Sequence, residues 1–296
     1  MKKPVLFLFC DKIIRKSALF FIFFTFANLV FSQRVVSMAP AITEIVFALG
    51  KGSSLVGVTK FCDYPSAALK IAKVGGFLDV NLEVLLALAP DIVIAYPEHQ
   101  SQLKLLESRA SLLVVGHRTL SDLYASIAAI GSILNAELAA NEMVLDMKNK
   151  LAAVAAKTGG GKKSRVLIIA GRNADELKNM HIVGKKDFLN ELVEIAGGVN
   201  AYQGEVNYPN ISLETVLFLN PDFIIEISAF YEGIRDEKIF ALWRPFAMLQ
   251  AVQNKRIIII KESFWLRPGS RVVRIATALA GIIATAKRQE NNVSTD

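Results

Sequence analysis

The sequence predicts an α/β fold of two lobes, each built on a parallel sheet, joined by one rigid backbone α-helix. Three observations point there. The chain repeats itself at long range: Asn81-Leu-Glu-Val-Leu-Leu-Ala-Leu-Ala-Pro-Asp-Ile-Val-Ile94 is echoed by Ser212-Leu-Glu-Thr-Val-Leu-Phe-Leu-Asn-Pro-Asp-Phe-Ile-Ile225. Glu83 and Glu214, Pro90 and Pro221, and Asp91 and Asp222 share one offset of 131 residues, and Arg34-Val-Val stands the same distance before Arg165-Val-Leu. An offset shared by an opening strand and a later helix–strand unit implies two lobes of one design. Short apolar runs also alternate with amphipathic stretches, as buried parallel strands alternate with covering helices. Finally, the segment between the repeats is rich in strong helix formers.

The elements follow in chain order. Residues 1–32 carry Lys2, Lys3, Lys12, Arg15 and Lys16 against Asp11, then an apolar run at 17–31. That run suits a secretory signal peptide and falls short of the ~20 residues of a spanning helix. Val30 and Ser32 are small residues suited to a cut before Gln33; a retained membrane anchor is the alternative. The N-terminal lobe covers 34–120, with strands at 35–38, 55–58, 92–95 and 112–115 and helices at 41–49 and 82–88. A helical connector covers 121–160. Its main helix, 135–157, is expected to be capped by Asn135 and stopped by the glycines at 159–161. The C-terminal lobe covers 165–267, with strands at 166–170, 223–227 and 257–260 and helices at 188–196 and 213–219. A last helix is expected over 268–288, with Pro268 in its first turn, before a polar tail at 289–296.

Composition narrows the function. With 53% hydrophobic residues over 296 positions, 18 Gly and 9 Pro, the chain is neither disordered nor collagen-like. The net charge of +7 suggests nucleic acid until its distribution is examined. The leader holds +4 of it, together with eight of the 18 Phe, and the remaining Lys and Arg are scattered apart from a short basic knot near 162–165. No nucleic-acid partner is expected. Removal of the leader takes Cys10 with it, leaving Cys62 with no disulfide partner. Nucleotide-loop, dinucleotide, zinc-protease and serine-hydrolase motifs are all missing. His99, His117 and His181 are too far apart in sequence to suggest a zinc site. Nothing argues for an enzyme.

Ligands of α/β sheets gather at the carboxyl ends of strands. There the sequence places Phe61, Tyr64, Phe77 and Tyr96 in the first lobe, and Tyr208, Phe230, Tyr231 and Trp265 in the second. Facing aromatic walls suit a large flat ligand. Taken singly, each of these residues fits a core as well as a cleft.

The segment Arg34-Val-Val-Ser-Met-Ala-Pro-Ala-Ile-Thr-Glu-Ile-Val-Phe-Ala-Leu-Gly50 resembles the opening of substrate-binding proteins of iron-siderophore, haem and vitamin B12 ABC transporters. The likeness continues through Asp63-Tyr64-Pro65, Asn81-Leu82-Glu83, Pro90-Asp91, Ser212-Leu213-Glu214 and Arg267-Pro268-Gly269-Ser270-Arg271. It covers about 34–288 and is nearest to the vitamin B12-binding members. The resemblance implies two α/β lobes on a backbone helix, a periplasmic monomer without a cofactor of its own, and an ABC transporter permease dimer as partner. It also places Pro40, Phe61, Phe77, Tyr96, His181, Tyr208, Ser263 and Arg267 in the cleft. Tryptophans of the B12 binders stand here as Phe77, Tyr96 and Tyr208; His181 replaces an apolar aromatic, and Ser263 an acid. His181 can serve as an axial ligand to a ligand-borne metal or as a hydrogen-bonding wall residue. Arg267 can meet a ligand carboxylate or form a structural salt bridge. The expected ligand is a corrinoid such as cobalamin, then haem, then a ferric siderophore. A membrane-anchored receptor without transport is the reading from another class.

Glu83 and Glu214 are each the second helical residue after Asn81 and Ser212, where the helix dipole already favours an acid by ~0.3–1 kcal/mol. Their matched placement, one per lobe, suits docking onto arginines of a two-fold permease, a role the resemblance implies. Glu83→Arg combined with Glu214→Arg is expected to abolish uptake while ligand affinity in solution stays intact. Uptake at the wild-type rate in the double variant would remove the docking role.

Overall fold

The computed structural model describes residues 33–293 except 107, 159, 161 and 232. The leader at 1–32 and the last three residues of the tail lie outside the described residues.

Arg34 opens the first lobe. Its backbone N–H donates to Asp91 Oδ2 at 2.7 Å, and Asp91 N donates back to Arg34 O at 2.8 Å. This clip fixes the start of β1 (Val35–Ser37) beside the later β4, pairing Val35 with Ile92. One repeat later the same clip recurs. Arg165 N donates to Asp222 Oδ2 at 2.8 Å, and Val166 pairs with Phe223. The Pro-Asp of each repeat is therefore a register pin for the lobe's central strand.

The first sheet runs β3-β2-β1-β4-β5, all parallel, with β2 at Leu55–Val58, β3 at Ala72–Lys73, β4 at Ile92–Ala95 and β5 at Ser111–Val114. Helix α1 (Pro40–Ala48) begins on Pro40, whose missing N–H costs nothing in a first turn. It closes on Gly50 at φ 72°, the left-handed position that glycine takes without strain, with Lys51 N bonded to Val46 O at 3.0 Å. Helix α2 (Leu82–Ala87) is capped by Asn81, whose side chain accepts from Val84 N at 3.0 Å. A four-residue helix α3 (Gln100–Leu103) follows β4.

Two helices, not one, fill the connector. Helix α4 (Leu120–Ile133) is capped reciprocally by Thr119 and Asp122. Helix α5 (Glu137–Thr158), 22 residues long, spans about 33 Å. Asn135 does not cap α5 as expected. It sits at φ 50° and ends α4: Asn135 N reaches Ser132 O at 3.2 Å, and Ala136 N reaches Gly131 O at 2.7 Å. Asparagine tolerates the left-handed conformation, so one residue type suits both roles and the sequence cannot separate them.

The second sheet takes the order β11-β10-β6-β7-β9, with β8 pairing β6. Its strands are β6 (Ser164–Gly171), β7 (Met180–Ile182), β8 (Gly198–Asn200), β9 (Asn210–Ile211), β10 (Phe223–Ile227) and β11 (Ile257–Ile260). Strands β8, β6, β10 and β11 are parallel, as the sequence predicts, whereas β7 is antiparallel to both β6 and β9. β7 and β9 are three and two residues long and carry His181 and Asn210, too little apolar pattern to be read. The helices are α6 (Phe188–Ile195), α7 (Leu213–Leu219), α8 (Asp236–Trp243), α9 (Gln250–Gln253) and α10 (Val272–Val293). The last helix starts four residues later than expected, because Pro268–Arg271 is a turn whose Ser270 and Arg271 hydrogen-bond Glu44. Residues 289–293, read as tail, continue it.

Alternation along the strands divides the core. Val35, Ile92, Ile94, Val166, Ile168, Phe223 and Ile225 join one continuous apolar core that also takes in residues of α4, α5, α6 and α10. Their neighbours Val36 and Val93 enter a separate core on the far face of the first sheet. Leu167 and Ile224 do the same on the second. Both faces of each central strand are thus covered, as parallel strands require.

One ion pair is sealed into the second lobe. Arg172 Nη2 lies 2.6 Å from Glu226 Oε1, both side chains 0% exposed, and Trp243 Nε1 donates to Glu226 Oε2 at 3.0 Å. Burial raises the Glu226 carboxyl above its ordinary range, against the pull of Arg172 and Trp243. Removing one partner strands the other charge in the core. Glu226→Ala is therefore expected to cost about 3–5 kcal/mol in urea unfolding, and a loss under about 1 kcal/mol would show the pair to be dispensable.

Candidate functional site

The carboxyl ends of the strands in both sheets converge on a cavity of about 490 Å³. From the first lobe come Ala39, Pro40 and Ala41 after β1, Phe61 after β2, Phe77 after β3, Tyr96 and Glu98 after β4, and His117 and Arg118 after β5. From the second come Ala170 on β6, Asp187 and Phe188 at the start of α6, Asn207 and Tyr208 before β9, Phe230 after β10, and Ser263, Leu266, Arg267 and Pro268 after β11.

The first wall is an aromatic panel. The rings of Phe77 and Tyr96 lie 6.3 Å apart, and His117 tilts at 33° over Tyr96 at 4.0 Å. His99 backs the panel from the core. It is fully buried, edge-on to Phe77 at 4.7 Å, and its Nδ1 accepts from Tyr96 N at 3.0 Å. His117 Nε2 lies 3.1 Å from Glu98 Oε2. Burial would raise the Glu98 carboxyl, but hydrogen bonds from its own backbone and from His117 bring it below the ordinary range. Ionised Glu98 only accepts, so His117 donates to it through Nε2. Burial, with Glu44 and Glu98 nearby, pushes the Tyr96 hydroxyl far above its usual value, so it stays protonated.

On the opposite wall Asp187 caps α6, accepting from Leu189 N at 2.9 Å. It also accepts from the Tyr208 hydroxyl. Burial pushes the Asp187 carboxyl up to about 6. The two walls meet near Arg118, whose carbonyl accepts from Phe188 N at 2.6 Å. Its Nη1 reaches Asn207 Oδ1 at 2.9 Å with that amide turned so that its nitrogen faces Lys186 O. Leu120 N, at the head of α4, donates to Glu191 of α6 at 3.1 Å. Across the cavity, Arg267 is held by Asp63 through two contacts of 2.6 and 3.3 Å. Glu44, buried on α1, is gripped by Arg271 at 2.5 and 3.0 Å.

Eight of the residues singled out in the sequence line this cavity: Pro40, Phe61, Phe77, Tyr96, Tyr208, Phe230, Ser263 and Arg267. Four do not. His181 is exposed on β7 because Met180 and Ile182 turn inward, and strand alternation sends the residue between them outward. Its position therefore offers nothing to a metal inside the cavity. Tyr64 lies over the Arg271 guanidinium at 4.4 Å, Tyr231 covers Arg172 at 5.4 Å, and Trp265 is buried in the main core. Glu83 and Glu214 are exposed near the starts of α2 and α7, away from the cavity lining. Glu98, His117, Arg118, Asp187 and Asn207 were not anticipated. Glu98 and His117 stand at strand ends as Tyr96 does, but a polar side chain there looks like any residue of a surface loop. Asp187 and Asn207 carried no such signal. Among the described residues no group of three or more His, Cys, Asp or Glu side chains could hold a metal ion. The lining can offer stacking and apolar contact with a few fixed polar groups.

Asp187 binds its proton more tightly folded than unfolded, so its contribution to stability is complete below about pH 4 and is lost as pH rises through about 6. Wild-type stability minus that of Asp187→Asn should fall over this window by on the order of 3 kcal/mol. Asn keeps a capping oxygen, so the difference isolates the titration. A flat difference between pH 4 and 7 would contradict the buried acid.

The chain matches the family described as periplasmic binding protein over residues 35–264. It is 29% identical to an uncharacterized ABC transporter substrate-binding lipoprotein, YvrC, of Bacillus subtilis, across 84% of this chain and 79% of that one. It is 26% identical to a vitamin B12-binding protein of Vibrio cholerae, across 87% and 91%. Among solved structures, the periplasmic vitamin B12 binding protein BtuF of Vibrio cholerae aligns at TM-score 0.73 and 25% identity, covering 86% of this chain and 98% of that one. The periplasmic heme binding protein HutB of the same organism aligns at TM-score 0.75 and 22% identity, covering 85% and 98%, a likeness of fold. With two α/β lobes on a backbone helix, strand ends converging on one cleft, and a family match over most of its length, the chain belongs to the periplasmic binding protein family.

Proposed function

We propose that this chain is an exported, non-catalytic solute-binding protein that captures a corrinoid between its lobes and hands it to an ABC importer. The observation that carries the reading is the pair of aromatic walls: Phe61, Phe77 and Tyr96 on one side, Tyr208 and Phe230 on the other. A flat, weakly charged ring can bury apolar area and stack on such walls. The lining residues Glu98 and Arg267 already have close protein partners, which favours a ligand that brings them no counter-ion. Relatives named for vitamin B12 binding support the same choice. The long α5, packed against α4 and α10, supports a cleft that is largely preformed, so little affinity is lost to lobe movement. Glu83 and Glu214 are assigned to permease docking, and the working form is a periplasmic monomer.

Haem is the second reading, because His117, held through Nε2 by Glu98, brings an imidazole to the cavity lining.

Absorption titration with cyanocobalamin, haemin and a ferric siderophore decides among these. Cyanocobalamin is expected to bind at micromolar concentration or below. Phe230→Ala and Phe61→Ala are each expected to weaken it about tenfold, the effect of losing about 1.4 kcal/mol of ring contact. Absence of corrinoid binding, or tighter binding of haemin, would overturn the assignment.

A further inference from the structure

The charges on the Arg267 side of the cavity form a closed set, and Asp63 closes it. Arg267 lines the cavity with its side chain 13% exposed, and both ends of its guanidinium fork lie on the two oxygens of Asp63. Behind it Glu44 Oε1 lies 3.8 Å from Arg267 Nη1, and Arg271 holds both Glu44 oxygens from the other side. Two guanidiniums thus balance two carboxylates. Asp63 itself is outside the lining, its side chain 54% exposed. Burial would raise its carboxyl, but the hydrogen bond and charge of Arg267 outweigh this and hold it below the ordinary range, so it is ionised at neutral pH. The other cation of the lining, Arg118, lies 3.8 Å from Glu98 and bonds Asn207.

A ligand carboxylate approaching the Arg267 side of this cavity therefore meets no uncommitted guanidinium, whereas Arg118 on the other side is 60% exposed. To reach Arg267 it must displace an acid already seated two-pronged on the guanidinium, the strongest arrangement such a pair adopts. A carboxamide makes no such demand. It is neutral, donates and accepts, and can bond to groups such as Ser263 or the Asn207 amide without a counter-ion.

We propose that Asp63 is a specificity-determining residue: by occupying Arg267 it turns away rings rimmed with carboxylates and leaves the cleft to neutral, carboxamide-rimmed ones. The choice of ring rests on the corrinoid reading above, whereas the shielding of Arg267 stands independently of it. Asp63 acts through Arg267 and is a positioning residue.

The test compares a corrinoid bearing carboxamide arms with the same corrinoid hydrolysed to carboxylates, on wild type, Asp63→Asn and Asp63→Glu at pH 7. Wild type is expected to prefer the amide form by at least tenfold. Asp63→Asn, nearly isosteric, should shrink that ratio at least tenfold by gaining affinity for the carboxylate form, and Asp63→Glu should restore it. Equal wild-type affinities, or an unchanged ratio in Asp63→Asn, overturn the proposal. A merely structural role would weaken both ligands together and leave the ratio alone. If wild type binds neither corrinoid, the corrinoid reading falls by itself. The shielding is then read from the Arg267 Nε resonance during titration with sodium propionate. A shift is expected in Asp63→Asn and none in wild type, and identical responses overturn the shielding.

Discussion

Both sheets of this protein lean on one apolar core, and that shared burial sets the geometry of everything else. Val35, Ile92 and Ile94 from the first sheet, and Val166, Ile168, Phe223 and Ile225 from the second, enter the same core as Met147 and Leu151 of α5 and Ile275 and Leu279 of α10. Interiors of this kind are packed as densely as organic crystals and deform little. The distance between the two aromatic walls is therefore a property of how α5 and α10 pack, not of a loop. The clips of Arg34 on Asp91 and Arg165 on Asp222 then fix where along each lobe the central strand ends, and so where the cleft residues emerge.

Charge in the cleft obeys a second constraint. Carboxylates and guanidiniums near the cavity are matched within the protein: Glu98 with His117 and Arg118, Asp63 and Glu44 with Arg267 and Arg271. Asp187 is handled differently, by a hydroxyl partner and a carboxyl raised to about 6. For Glu44, whose side chain is 1% exposed, matching is what burial demands, since an unpaired charge there is costly. Its consequence is chemical, because the surface left to a ligand is mainly aromatic and apolar with a few amide and hydroxyl contacts.

Much of the frame was legible before any coordinates. The parallel strands announced themselves as apolar runs with both faces buried, and the 131-residue offset reflects a shared hydrogen-bond clip that needs the same Asp at the same place. The antiparallel β7 and β9 were not legible, because they are held by pairing with β6 and with each other and carry almost no pattern of their own. Asn135 illustrates the same limit at a helix end, where one residue type serves two opposite roles.

The site divides along the same line. Strand-end placement is local, so Phe61, Phe77, Tyr96 and Phe230 were found from their positions after apolar runs. The direction of a side chain depends on neighbours far away in the chain. Alternation against Met180 and Ile182 sends His181 outward, packing draws Trp265 into the core, and Arg172 keeps Tyr231. Arg267 was open to two roles until the fold brought Asp63, 204 residues earlier, against it. The sequence by itself determined two repeated α/β lobes, the helix between them and aromatic strand ends. Only the tertiary structure decided which of those side chains face the cleft and which charges there are already satisfied, because both depend on contacts between segments far apart along the chain.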